Sequence, residues 1–315
     1  LKADCLIDLY YKNGYYSNII LQRGENMMDT VLLIDSCTDL PRSYVDKNEM
    51  PFVSLVCNFK DQEYKDDFGK SISYKGFFDA VRSGEMPSTA QVNVYEYTEI
   101  FKKYATEGKS IVYLGFSSAL SGSVSSAYLA RDMVMEEIKD VDITIIDSKS
   151  ASLGEGLLAY YANEMFKAGA SKDEVVSWLE TNKLKMNHWF TVDDLGHLKR
   201  GGRLSGTAAF LGTLLDIKPV LKVDDEGKLI PISKVKGRKK SIKTLFEMLQ
   251  ENIAVPEEQV IAISHGDCIE DAEYLKEMIL KEYNVKDVII NHVGPVIGAH
   301  TGPGVVALFF FGYKR

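Results

Sequence analysis

Cysteine and proline are scarce, with four of the first and eight of the second in 315 residues. Cys5, Cys37, Cys57 and Cys268 are scattered and form no C-x-x-C pair, so neither a zinc-ligand spacing nor the cysteine density of a secreted disulfide scaffold is present. Reduced thiols in a cytoplasm are the simplest reading. Long hydrophobic runs are also missing. The longest unbroken one, residues 305–311, falls far short of the ~18 residues that suggest a membrane-spanning helix. Positive charge is in deficit: 37 Lys and Arg against 45 Asp and Glu leave a net charge of -8, whose field repels phosphate backbones and argues against a nucleic-acid partner. No G-x-x-x-x-G-K-[ST] occurs, and no G-x-G-x-x-G opens a helix after a strand, so ATP or NAD binding by this chain alone is not expected. Heptads, fixed-period repeats, Pro-rich linkers and low-complexity tracts are absent from the sequence.

What is present is the composition of a folded chain, 45% hydrophobic and 26% charged. The length exceeds a usual domain of ~100 to 150 residues, so two domains are expected, with room for a large apolar cavity. Residues 1–27 carry Lys2, Asp4, Asp8 and Lys12 and no A-x-A-like cleavage site, which is not a signal peptide. Met27 and Met28 precede the first clear strand, so residues 1–27 are expected to be a leader outside the core fold.

Residues 30–35 (TVLLID) form a continuous apolar run ending in polar residues, the pattern of a strand buried on both faces of a parallel sheet. The same grammar recurs at 110–116, 142–147, 188–192, 259–264 and 286–291. Amphipathic stretches lie between them, among them helices predicted over 92–106 and 121–138. Residues 220–235 differ. Two β-rich runs flank Asp224-Asp225-Glu226-Gly227, predicting an antiparallel hairpin. The expected fold is therefore α/β, with two α/β domains at 28–165 and 166–315: a mostly parallel sheet in the first and a mixed sheet with the hairpin in the second.

In open α/β sheets ligands bind beyond the carboxyl ends of the strands. Four such segments, 35–39 (DSCTD), 115–123 (GFSSALSGS), 147–154 (DSKSASLG) and 298–304 (GAHTGPG), are rich in hydroxyls and glycine. Their donors would suit an anion, although singly each could be only a helix cap or turn. Thr89, within PSTAQ at 87–91, precedes a helix and taken alone is a capping sequence. Lys199, Arg200 and Arg203 are interleaved with Gly201, Gly202 and Gly206, which allows close backbone approach and a guanidinium fork for a carboxylate or phosphate. The bland alternative is a solvated helix end with a glycine cap. Of the histidines, His188 and His197 have packing or surface roles by default, His265 could sit in a turn, and His300 between glycines is placed to meet a ligand. Lys234, Lys236, Arg238, Lys239 and Lys240 concentrate positive charge in an acidic molecule. Such a run is usually a solvated face, and it could also dock a partner.

Taken together, D-S-C-T-D-L-P from Asp35, S-S-A-L-S-G-S from Ser117, G-G-R-L-S from Gly201 and G-A-H-T-G-P-G from Gly298 resemble the DegV family, and more narrowly the fatty-acid-binding subunit of bacterial fatty acid kinase. The resemblance runs from about Val31 to the C-terminus. It implies a non-catalytic, cytoplasmic carrier in bacterial phospholipid metabolism, with no cofactor or metal, no nucleic acid and at most transient membrane contact. The carrier would enclose one long-chain fatty acid in a tunnel at the domain junction and present its carboxylate to an ATP-dependent kinase subunit. Carried over by position, Thr89, Ser117, Ser118, Ser121, Arg203 and His300 would hold the carboxylate, and Arg238, Lys239 and Lys240 would face the kinase. The family's T-S-Q-P stands here as Thr89-Ala90-Gln91-Val92, Cys37 replaces the common Thr, and Ser123 replaces the Thr of S-G-T; the change to Ala90 removes a donor. Two other readings compete. One is a serine hydrolase with Ser117 as nucleophile and His292 or His300 as base, although the final Gly of G-x-S-x-G is missing. The other is a regulatory module that binds partners without lipid.

Overall fold

The computed structural model describes residues 29–193, 195–205 and 216–315, and the expected leader at 1–27 lies outside them. Within these residues the strands are β1 (Thr30–Asp35), β2 (Phe52–Val53), β3 (Val56–Phe59), β4 (Gln62–Lys65), β5 (Ser88–Ala90), β6 (Ser110–Gly115), β7 (Ile143–Asp147), β8 (Met186–Thr191), β9 (Ile217–Val223), β10 (Leu229–Lys236), β11 (Val260–His265), β12 (Asp287–His292) and β13 (Val306–Phe311). The α-helices are α1 (Arg42–Lys47), α2 (Tyr74–Arg82), α3 (Val94–Thr106), α4 (Ser123–Glu137), α5 (Leu153–Lys167), α6 (Lys172–Asn182), α7 (Gly196–Arg200), α8 (Arg238–Asn252), α9 (Ile269–Glu282) and α10 (Pro295–Thr301).

The first sheet is all parallel, in the order β2-β1-β6-β7. Every residue of β6 is buried, as its unbroken apolar run requires when helices cover both faces. Asn93 caps α3 by accepting a hydrogen bond from Glu96 N at 3.0 Å, and Ser171 with Glu174 forms a full capping box on α6. A small antiparallel sheet, β4-β3-β5, pairs Thr89 of β5 with Cys57 of β3.

The second sheet is mixed, in the order β10-β9-β8-β13-β11-β12. β9 and β10 form the expected antiparallel hairpin, with Leu229 opposite Val223. The apolar run at 305–311 becomes β13, antiparallel to both β8 and β11 at the centre of this sheet. Residue 165, expected at the domain boundary, lies inside α5, which packs on strands of both main sheets. One apolar core consequently runs from Leu33 and Leu114 of the first sheet to Phe190 and Phe309 of the second. No helix among the described residues is long and apolar enough to cross a membrane.

Candidate functional site

Between the sheets lies a cavity of about 380 Å³, within the range of small-molecule sites. Most of its wall is apolar, with Phe116, Leu120, Phe190, Val296, Ile297 and Phe309 among the contributors. Polar side chains enter it from several elements, among them Thr89 and Gln91 around β5, Ser121 before α4, Ser152 before α5, Arg203 after α7, and His300 on α10.

Thr89 and His300 meet directly, with Oγ1 and Nε2 2.8 Å apart. On the other side of the ring, Nδ1 packs against Gly201, where a Cβ would stand only 2.0 Å away. Close approach is therefore what position 201 requires of a glycine. Burial, and secondarily the Arg203 guanidinium, push the His300 pKa down to about 4, so the imidazole is neutral near pH 7. Arg203 is fixed by Nε donating to Leu120 O at 3.1 Å and Nη1 donating to Gly201 O at 2.5 Å. Its Nη2 has no protein partner among the described residues and is available to an anion.

The three sequence-singled serines part company. Ser121 lines the cavity, its Oγ 2.9 Å from Ser123 Oγ. Ser117 is wholly buried elsewhere and donates to Gly227 O at 3.0 Å, clamping the β9–β10 turn onto the first sheet. Ser118 accepts from Lys149 Nζ at 2.9 Å and does not line the cavity. Since the Ser117 hydroxyl donates to a backbone carbonyl, the geometry among the described residues gives a hydrolase reading no histidine base there. Among the basic residues, Arg238 is engaged within the chain: Nε donates to Asp271 Oδ2 at 2.9 Å and Nη1 stands 3.9 Å from Asp193. Lys239 is exposed, and Lys240 lies 3.3 Å from Glu247.

Two carboxyls hold α10 and with it His300: Asp39, in a strand-end segment that the sequence singled out, and Asp66, which sequence reasoning passed over. Asp39 Oδ1 accepts from Gly294 N at 2.8 Å, and Asp66 Oδ2 accepts from Val296 N at 3.3 Å. Both carboxyls are buried. Burial raises the pKa of Asp39 far above the carboxylate range and that of Asp66 to about 7. Gln91, Ser152, Ser264 and His188 also line the cavity. The signal for Ser152 and Ser264 was their position at strand ends; that for His188 was absent, because its Nδ1 contacts Met186 O at 3.0 Å like any core histidine. Among the described residues no group of three or more His, Cys, Asp or Glu side chains is arranged to hold a metal ion.

Two sheets closing on an apolar chamber with a few polar groups in its wall define an α/β protein built around a largely apolar cavity of small-molecule size. The family model "Uncharacterised protein, DegV family" matches residues 29–312, and the chain belongs to the DegV family. A DegV domain-containing protein of Clostridium perfringens is 50% identical over 286 residues, covering 91% of this chain and 98% of its own. A DegV family protein of Thermus thermophilus, described as binding fatty acid, matches with a TM-score of 0.83 at 29% identity, over 90% of this chain and 100% of that one. DegV of Bacillus subtilis, described as a fatty acid binding protein, matches with a TM-score of 0.79 at 29% identity, over 90% and 99%.

Proposed function

We propose that this protein binds one long-chain fatty acid in the cavity and presents its carboxylate to a partner kinase subunit that forms the acyl phosphate, catalysing nothing alone. The observation that carries the reading is the Thr89–His300 pair, with Arg203 beside it, in the wall of an otherwise apolar chamber. Related proteins of known structure are described as fatty-acid-binding. Burying an acyl tail contributes ~0.8 kcal/mol per methylene, so about fifteen carbons offer roughly 12 kcal/mol before the costs of association. The tail supplies affinity.

A carboxylate taken out of water is costly unless donors replace its hydration. The Arg203 guanidinium, the hydroxyls of Thr89 and Ser121 and the His300 ring supply them. An anion beside His300 also favours its protonated form, opposing the burial that lowers its pKa. Ser117 and Ser118 support the wall from behind, and the exposed Lys239 and Lys240 suit an acidic docking face on the kinase. The test is acyl-phosphate formation by a fatty acid kinase subunit supplied with oleate and this protein. Arg203→Ala should lower the rate at least about tenfold while the protein stays folded. An unchanged rate removes Arg203 from the site.

A further inference from the structure

Two short helices carry the head-group residues, and each ends in a glycine that seats a histidine of the other. His300 of α10 presses into Gly201 at the end of α7, where a Cβ would stand 2.0 Å from Nδ1. In return, His197 of α7 presses into Gly302 at the end of α10, where a Cβ would stand 2.4 Å from Cδ2 and 2.8 Å from Nε2. Gly302 is also held at φ 74 and ψ 175, a region essentially reserved for glycine. His197 itself does not line the cavity. Its ring is braced by Arg200, whose Nη2 stands 3.0 Å from Nδ1. A guanidinium only donates, so Nδ1 accepts and the Cδ2–Nε2 edge is the one turned to Gly302.

A helix of five residues has little stability of its own, and one seat alone would let it pivot. Two separated seats fix its direction as well as its place, and direction is what Arg203 inherits from α7. Arg203 N donates to Leu198 O at 3.1 Å and Nη1 donates to Gly201 O, so two of its bonds run to the end of that helix. A third, from Nε to Leu120 O at 3.1 Å, runs to the loop after β6. A tilt of α7 would therefore move the guanidinium and at the same time withdraw Gly201 from behind His300, loosening the ring that Thr89 meets at 2.8 Å.

We propose that His197 is a positioning residue: seated in Gly302, it locks α7 to α10 so that Arg203 and His300 face the carboxylate as one unit. It acts through those two side chains and not on the ligand. The inference rests on the fatty-acid reading above and adds to it the residue that sets the head-group geometry.

The experiment titrates the delipidated full chain with oleate and with oleyl alcohol, which shares the tail and lacks the carboxylate. His197→Asn keeps an acceptor for Arg200 and removes the ring from Gly302, whereas His197→Phe keeps a flat ring there and removes the acceptor. In His197→Asn, oleate should bind about tenfold more weakly, the worth of one weakened bond to a charged group, while oleyl alcohol stays within about twofold of wild type. His197→Phe should keep oleate binding within about threefold of wild type. Equal weakening of both ligands in His197→Asn marks a merely structural loss and overturns the inference. So does an unchanged oleate affinity in that variant, or a loss in His197→Phe as large as in His197→Asn. Should His197→Asn lack a cooperative urea transition, His197→Gln gives the same comparison with the same readings. A wild type that binds neither ligand, or gains nothing from the carboxylate, overturns the underlying reading and this inference with it.

Discussion

Replacing Asp66 by asparagine isolates the energetic role of the buried carboxyl that holds α10. The carboxyl is 2% exposed, Oδ2 accepts from Val296 N, and Oδ1 has no partner among the described residues. Burial raises its pKa from 3.8 to about 7. A carboxyl whose folded pKa is raised contributes its full stability below 3.8 and loses it as the pH climbs through 7, because the unfolded chain releases the proton first. At 1.36 kcal/mol per pKa unit, the loss between pH 5 and pH 8 is about 2 to 3 kcal/mol. Asparagine keeps an acceptor for Val296 N and cannot ionise. Urea unfolding of both proteins at pH 5 and pH 8 should therefore show the stability of Asp66→Asn minus wild type rising by about that amount. The buried histidines, His300 among them, lose stability in the opposite sense as the pH falls from 6.5 towards 4, and they cancel in the difference. A gap that stays constant between the two pH values refutes the reasoning.

Two further substitutions probe the site and its frame. Gly201 has an ordinary φ of -71, so Gly201→Ala is compatible with the backbone and acts through its Cβ, which would stand 2.0 Å from His300 Nδ1. Displacing the ring should weaken fatty-acid binding about tenfold in a titration, and an unchanged affinity would show that the Thr89–His300 contact is incidental. Arg315 donates to the carbonyls of Lys149, Lys183, Met186 and Asp224 at 2.7 to 2.9 Å, tying the β7–α5 loop to the hairpin. Arg315→Met strands those acceptors and should cost on the order of 3 kcal/mol, measured by denaturant midpoint; an unshifted midpoint contradicts that role.

The elements legible in the sequence were those whose residues are mostly buried. β1, β6, β7 and β11 read as continuous apolar runs because helices or a second layer cover both faces, and the hairpin read from its Asp224–Gly227 turn. β13 reads in the sequence only as an apolar stretch, since such a run does not by itself tell strand from buried helix. β3, β4 and β5 are too short to leave a period, so the pairing of Thr89 with Cys57 had no local signal. The serine-rich loop shows a different limit. Ser121 N donates to Ser117 O at 3.1 Å, and that turn sends Ser117 towards Gly227, Ser118 towards Lys149 and Ser121 to the cavity wall. Residue types announced a site, but only the turn could sort them. Arg238 pairs with Asp271 on another helix, and Asp66 is a buried acid where an exposed one is the rule; neither follows from nearby sequence.

The central claim is that the interior holds a fatty acid by its tail and fixes its acid group at Thr89, Arg203 and His300. Organic extraction of the purified protein followed by mass spectrometry, together with native mass spectrometry of the intact chain, tests it most directly. The account predicts one long-chain fatty acid per chain, replaced by one equivalent of added oleate after delipidation. An extract free of fatty acid from a protein that takes up no oleate would contradict it.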